Sequence, residues 1–98
     1  MSDTVDQALR QAITAHSEGK LQEAERLYRT ILQFQPTHAD ANHNLGALMV
    51  AIRRAEAALP FFFTALQANP NVEQFWLSYI ACHIKVGDLD EAKRSISE

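Results

Sequence analysis

The stretch that decides the fold is residues 19–49, GKLQEAERLYRTILQFQPTHADANHNLGALM. Its first half carries apolar residues at three- and four-residue spacing, which predicts an amphipathic helix; these are Leu21, Ala24, Leu27, Tyr28, Ile31 and Leu32. Pro36 has no backbone N–H to donate and restricts the residue before it, so this helix should end just ahead of it. The stretch therefore predicts a helix, a short turn and a second helix.

The same pattern recurs along the chain with a period of 34 residues and without gaps. The residues that share a place in the period are Pro36 and Pro70; Ala24, Ala58 and Ala92; Tyr28, Phe62 and Ile96; and Leu21, Ala55 and Leu89. Repetition at this length is typical of a solenoid, in which stacked helix pairs bury a continuous seam. We predict six helices, near residues 4–17, 21–34, 38–51, 55–68, 72–85 and 89–97.

Turn residues separate the predicted helices. Gly19 and Gly87 lie two periods apart, where a helix can end in the left-handed conformation that glycine adopts readily. Arg53 occupies the corresponding place in the middle unit, so we expect that turn to be slightly strained or differently shaped. Thr37 follows Pro36 and is the expected N-cap of the next helix, because its side-chain oxygen can accept a free amide.

The units resemble the tetratricopeptide repeat. The resemblance implies an all-α, right-handed α–α superhelix of about three helix-turn-helix units, the last incomplete, at residues 5–38, 39–72 and 73–98. Four residues depart from the family pattern, and Ile80 stands where a small residue normally lets two helices approach, so the third unit should open wider or pack against something extra. The matching positions are Ala8, Ala12, Gly19, Ala24, Tyr28 and Pro36; Leu45, Gly46, Ala58, Phe62, Ala65 and Pro70; and Trp76, Tyr79, Gly87, Leu89 and Ala92; the departures are Gln11, Asn42, Arg53 and Ile80.

We interpret residues 1–98 as a single repeat domain. The third unit stops inside its second helix, whereas arrays of stacked pairs need a final element that shields the last pair from water. We therefore expect a fragment of a longer protein. The alternative is that the exposed end pairs with another copy of the chain.

Composition narrows the class of protein. The net charge of -3 argues against a nucleic-acid partner, which would need a basic surface to replace counterions on phosphates. No apolar run approaches the roughly 20 residues that cross a bilayer, and the N-terminus lacks the pattern of a signal peptide. Cys82 is the one cysteine, so no intrachain disulfide can form, and we expect the cytoplasm as the compartment.

The resemblance also implies which residues line the concave face of the superhelix. This mixed surface suits an extended peptide: Asn44 could hold a backbone amide bidentately, while Leu9, Ile13 and Leu77 could receive side chains. The alternative is that these residues form only the solvated inner wall of a short array. The predicted groove residues are Leu9, Arg10, Ile13, His16, Asp40, His43, Asn44, Ala47, Gln74, Leu77, Ser78 and Ala81.

Two subtypes of the family can be compared with this groove. Members that clamp a C-terminal carboxylate need several cationic side chains, and the corresponding places here are mostly uncharged, so we reject that subtype. Asn44, followed by Leu45 and Gly46, resembles the repeats of O-linked N-acetylglucosamine transferases and related bacterial glycosyltransferases. That likeness suggests that a transferase domain could follow in the parent chain.

The three consecutive phenylalanines at 61–63 cannot all face the same way on a helix. Phe62 belongs to the repeat core, which leaves Phe61 and Phe63 as a possible second interface. Packing between units is the alternative role for both residues.

No pattern in the sequence indicates a catalytic or metal-binding site. The four histidines lack the spacing of a zinc site, and Cys82 and His83 point about 100° apart on a helix, so they are a poor catalytic pair. We predict no metal, no cofactor and no enzyme activity. The predicted function is a non-catalytic scaffold that binds a protein or peptide, and the alternatives are a self-association module or the substrate-positioning arm of a larger glycosyltransferase.

Overall fold

A computed structural model describes the backbone of residues 2–97 and the side chains of residues 4–90. Over these residues the chain forms helices and turns without a strand. Each helix packs chiefly on its neighbours in sequence, and the stack measures 53 × 30 × 20 Å. The predicted all-α superhelical arrangement of helix pairs is confirmed. The helices are α1 (Ser2–Ser17), α2 (Leu21–Phe34), α3 (Ala39–Ala51), α4 (Ala55–Ala68) and α5 (Glu73–Ser97).

The core is a seam that runs through successive helix pairs. Small residues on facing helices let larger side chains fill the space between pairs, and Tyr28, Leu45 and Met49 are fully buried there. A second cluster of Ala65, Leu66 and Phe75 joins α4 to α5. Because each helix packs chiefly on adjacent helices, the stability of the stack is shared between neighbouring units.

α3 and α4 pack closely at Gly46. A Cβ atom at this position would lie 2.7 Å from a ring carbon of Phe62. The absent side chain therefore lets the aromatic ring lie directly on the α3 backbone. This contact explains why the middle unit needs a glycine at this place in the repeat.

The turns after α1 and α3 have the same shape. Gly19 has φ 80° and Arg53 has φ 65°, so both residues are left-handed. In each turn the following amide closes on the helix at 2.8 Å: Lys20 N donates to Ala15 O, and Arg54 N donates to Met49 O. The expected strain at Arg53 is present, since a side chain disfavours this conformation, but the expectation of a different shape is wrong.

The last helix corrects the prediction of six helices. α5 continues through Gly87 to Ser97, so the predicted break between helices 72–85 and 89–97 is absent and the described residues form five helices. Glycine permits a left-handed turn but does not force one. Ile80 occupies the place where Ala12 and Gly46 admit a second helix in the earlier units, and a side chain of this size would hold a second helix farther away.

The start of α3 also differs from the prediction. The cap is His38, whose Nδ1 accepts from Ala41 N at 3.1 Å, and not Thr37. Asn42, one of the departures from the repeat pattern, is buried, and its Nδ2 donates to Pro36 O at 3.0 Å and His38 O at 2.9 Å. A buried amide with both donors satisfied holds the turn against the helix, which explains why asparagine is tolerated there.

Candidate functional site

A groove lies between α3 and α5, the first helices of units two and three. Ala47 and Val50 of α3 face Ser78, Ala81 and Lys85 of α5 across it. Its floor is formed by the buried side chains of Phe62 and Cys82. The pocket in the groove has a volume of about 330 Å³ and is open to solvent. Most of the lining is apolar, so the pocket suits a side chain of a ligand.

A polar cluster closes the N-terminal end of this groove. His43 Nε2 lies 2.8 Å from Ser78 Oγ, and Gln74 Nε2 donates to the same hydroxyl at 3.1 Å. This arrangement leaves the Ser78 hydroxyl free to donate its proton to His43 Nε2. The imidazole also packs against two rings, with centroid distances of 4.9 Å to Phe75 and 5.5 Å to Phe62. The cluster thus joins unit two to unit three by both hydrogen bonds and ring contacts.

Burial lowers the pKa of His43, because removing the imidazole from water disfavours its charged form. The hydrogen bond with Asn44 and the negative charge of Asp40 act in the opposite direction and are smaller. The imidazole is therefore neutral at pH 7. A neutral ring, a hydroxyl and an amide at this end of the groove can accept and donate hydrogen bonds without adding a net charge.

Cys82 is a packing residue. Its Sγ donates to Ala55 O at 3.2 Å, and its side chain is buried. Burial raises the pKa of the Cys82 thiol, while the nearby Lys85 ammonium lowers it by less. A protonated, buried thiol is a poor nucleophile, so Cys82 contributes shape to the groove floor.

The predicted groove residues of units two and three lie together. Because His43 meets Ser78 and Val50 shares the pocket with Lys85, α3 and α5 run in the same direction with their predicted faces side by side. Leu77 is exposed on α5 and is not among the residues that line the pocket. The predicted residues brought to or beside the groove are Asp40, His43, Asn44, Ala47, Gln74, Ser78 and Ala81.

The four predicted groove residues of unit one do not line this pocket. His16 Nδ1 is 3.3 Å from the hydroxyl of the buried Tyr28, so this imidazole belongs to the α1–α2 contact. Leu9 packs on the core, and Ile13 is exposed. Arg10 borders a separate shallow pocket between α1 and α2. Unit one therefore adds nothing to the pocket between α3 and α5.

The two candidate interface phenylalanines have different surroundings. Phe61 is partly buried against the core, and the Arg29 guanidinium lies 5.8 Å from its ring centroid. Phe63 is 43% exposed and lies 5.8 Å from the Tyr79 ring of the next unit. Both rings therefore bridge units, and only Phe63 keeps a large exposed surface.

Four residues that line the pocket are not among the predicted groove residues, namely Val50, Phe62, Cys82 and Lys85. The repeat register does place Val50 and Lys85 at concave-face positions of the period. The floor residues depend on the distance between helices, which the sequence pattern does not give. Among the side chains described, no group of three or more metal-binding residues is close enough to hold an ion. No helix in the described part of the chain is long and apolar enough to cross a membrane.

Comparison with known proteins gives one curated relative and a solved structure. No protein-family profile matches the chain. Human protein O-mannosyl-transferase TMTC3 is 26% identical over 76 residues, which cover 78% of this chain and 8% of that protein. A crystal structure of PcrH in complex with the chaperone binding region of PopD superposes with a TM-score of 0.82 at 23% identity.

These matches differ in what they cover. The superposition on PcrH includes 96% of this chain and 71% of the PcrH chain. The fold is therefore shared over nearly the full length of this chain. The chain spans only a small part of TMTC3. The superposition therefore shows a shared fold of stacked helix pairs.

Proposed function

We propose that the chain is a non-catalytic scaffold that binds an extended peptide or protein segment in the groove between α3 and α5. The observation that carries this proposal is the apolar pocket lined by Ala47, Val50 and Ala81 beside an uncharged hydrogen-bonding cluster. Recognition of an extended segment needs side-chain pockets for specificity and polar groups for the peptide backbone. PcrH, which shares the fold, is seen in complex with the chaperone binding region of PopD, and this supports a protein partner.

The polar cluster has the right chemistry for backbone contacts. The side chains of His43, Gln74 and Asn44 offer donors and acceptors at the rim of the pocket. A peptide amide buried in a groove loses its hydrogen bonds to water, and such a loss is costly unless protein groups replace them. We expect this cluster to pair with a peptide amide next to the side chain that fills the pocket.

Catalysis by His43 and Ser78 is disfavoured even though their distance matches a base and its nucleophile. Acyl transfer needs donors for the developing oxyanion, often backbone N–H groups. Both residues lie inside helices, where backbone amides are used in helical hydrogen bonds. A binding role explains the contact between His43 and Ser78 and needs no donor for an oxyanion.

The test starts from peptides selected with the 98-residue protein from a phage-displayed library of random peptides. Synthetic copies of the selected peptides are then measured by fluorescence anisotropy. We expect His43→Ala and Gln74→Ala to weaken binding by at least about fivefold, the effect of losing one contact of about 1 kcal/mol. Gln67→Ala, at an exposed site on α4, is the control and should bind as the unchanged protein does. Equal affinity of all four proteins would contradict the proposal.

Self-association is the second candidate, and the outer surface of α5 favours it. Trp76, Leu77, Ile80 and Ile84 are between 42% and 60% exposed on this one helix. Exposed apolar surface of this kind is typical of an interaction site. Sedimentation equilibrium over a hundredfold range of protein concentration tests it. A mass that stays monomeric across the range would remove this candidate.

The likeness to TMTC3 supports a third possibility, that the chain is a substrate-positioning arm of a larger glycosyltransferase. The downstream gene sequence tests it, and a stop codon directly after residue 98 would contradict it. As partners we propose neither a nucleic acid, because the net charge is -3, nor a membrane. We propose the cytoplasm as the compartment, since Cys82 is a free, buried thiol.

A further inference from the structure

We infer that the groove reads two adjacent features of its peptide: an aliphatic side chain that enters between Ala47 and Ala81, and an acidic side chain that meets Lys85. This inference rests on the proposed function and specifies the chemistry of the partner. Three observations support it: the size of the pocket, the hydrogen bonds that its polar groups already make, and the positions of Asp40 and Lys85.

The size of the pocket fits one side chain. Ala47 and Ala81 lie on opposite walls, and their small side chains leave the space that opens down to Phe62. The volume of about 330 Å³ is at the lower end of the roughly 300–1,000 Å³ that hold small-molecule ligands. The pocket is therefore too small for a large cofactor and sufficient for a branched aliphatic residue.

The polar groups at the floor and at the N-terminal end of the pocket already have partners. The Cys82 thiol already donates to Ala55 O at 3.2 Å. The Ser78 hydroxyl is already bonded to both His43 and Gln74. A polar ligand group at the floor of the pocket would lose its hydrogen bonds to water and would find the protons of Cys82 and Ser78 already engaged, which disfavours it. An aliphatic side chain loses nothing of this kind and removes apolar surface from water.

The two ends of the groove differ in charge. Asp40 lies near His43 at the N-terminal end, and Lys85 lines the pocket at the C-terminal end. Within the described part of the chain, no acidic side chain forms an ion pair with Lys85. An acidic residue next to the buried aliphatic side chain would gain the attraction of Lys85, and repulsion from Asp40 would disfavour the reverse orientation.

The experiment uses the same selected peptides and two new variants of the full chain. Ala81→Leu fills the pocket, and its control, Ala68→Leu, adds the same atoms at an exposed site on α4. Lys85→Glu reverses the charge at the rim, and Arg26→Glu makes the same change at an exposed site on α2. Circular dichroism and thermal unfolding confirm that every variant is folded.

We expect selected peptides to share an aliphatic residue next to an acidic one. Ala81→Leu should weaken their binding by at least tenfold, and Lys85→Glu by about fivefold at low salt, with the second effect reduced in high salt. The two controls should bind unchanged. Replacing the aliphatic residue of the peptide by alanine should also cost at least tenfold in the unchanged protein, which tests the same contact without altering the fold.

Two results would overturn the inference. If the selected peptides carry no shared aliphatic residue, or if Ala81→Leu binds them with unchanged affinity while His43→Ala does not, the groove binds peptides but not through this pocket. If no peptide is selected, or if the peptides are insensitive to His43→Ala as well, the proposed function fails together with the inference. The variants therefore separate the two failures.

Discussion

His43 Nε2 lies 2.8 Å from Ser78 Oγ and thereby links the first helices of units two and three. The same burial that allows this contact lowers the pKa of His43 below its ordinary value of 6.5. In acid the unfolded chain takes up a proton on this residue at a higher pH than the folded chain does. Stability from the neutral imidazole is therefore complete above about pH 6.5 and is lost as the pH falls through the lowered pKa.

The first prediction follows from the loss of stability in acid that the lowered pKa of His43 implies. The free energy of unfolding, measured with urea, should decrease between pH 7.5 and pH 5, and His43→Gln should make this decrease shallower. His83→Gln is the matched control, because His83 is exposed, and it should keep the full decrease. An identical pH dependence in the unchanged protein and His43→Gln would show that His43 is not the group responsible.

The second prediction concerns Gly46 and the ring of Phe62. Gly46→Ala should destabilise the fold by about 1–3 kcal/mol, because the added Cβ would lie 2.7 Å from a ring carbon and force α3 and α4 apart. Urea unfolding measures this change. A neutral or stabilising effect would mean that the two helices are not as close as described.

The third prediction tests the continuity of α5. Gly87→Ala should stabilise the chain by about 0.5–1 kcal/mol, because alanine favours a helix interior and a Cβ atom meets nothing within 4 Å at this site. Gly19→Ala is the comparison, and it should destabilise, since Gly19 has φ 80°. If both substitutions destabilise alike, the chain turns at Gly87 as it does at Gly19.

The fourth prediction uses the strained turn between α3 and α4. Arg53→Gly should stabilise the protein by about 1 kcal/mol, because the left-handed conformation at φ 65° costs a residue with a side chain about that much. Arg54→Gly is the control, since Arg54 has φ -118° and should gain nothing. Equal changes in midpoint temperature for the two variants would exclude relief of strain at Arg53.

The sequence predicted the first four helices to within about two residues at each end. Pro36, Gly19 and the 34-residue spacing of small and aromatic residues act locally, so their effect on the backbone can be read without coordinates. The predicted break in α5 was wrong because Gly87 permits a turn but does not force one. Whether the helix breaks there depends on packing against a second helix, which the spacing of residues does not reveal.

The sequence predicted only some of the groove residues, because the repeat pattern gives the face of a helix and not the contacts between helices. The position of a residue in the repeat determines which face of a helix it occupies, so Ala47, Ser78 and Ala81 lie together as expected. The register does not reveal that Tyr28 engages His16 and draws it to the α1–α2 contact. Neither does it give the depth of the pocket. Which of the groove residues contact a partner stays a prediction.

The most direct test of the groove is a two-dimensional amide NMR titration of the protein with a selected peptide. We expect the largest shift changes at Ala47, Val50, Ser78 and Ala81, with little change at Trp76 and Ile84 on the outer surface of α5. Changes that concentrate on Trp76, Ile80 and Ile84 while the α3 amides stay still would contradict binding between α3 and α5.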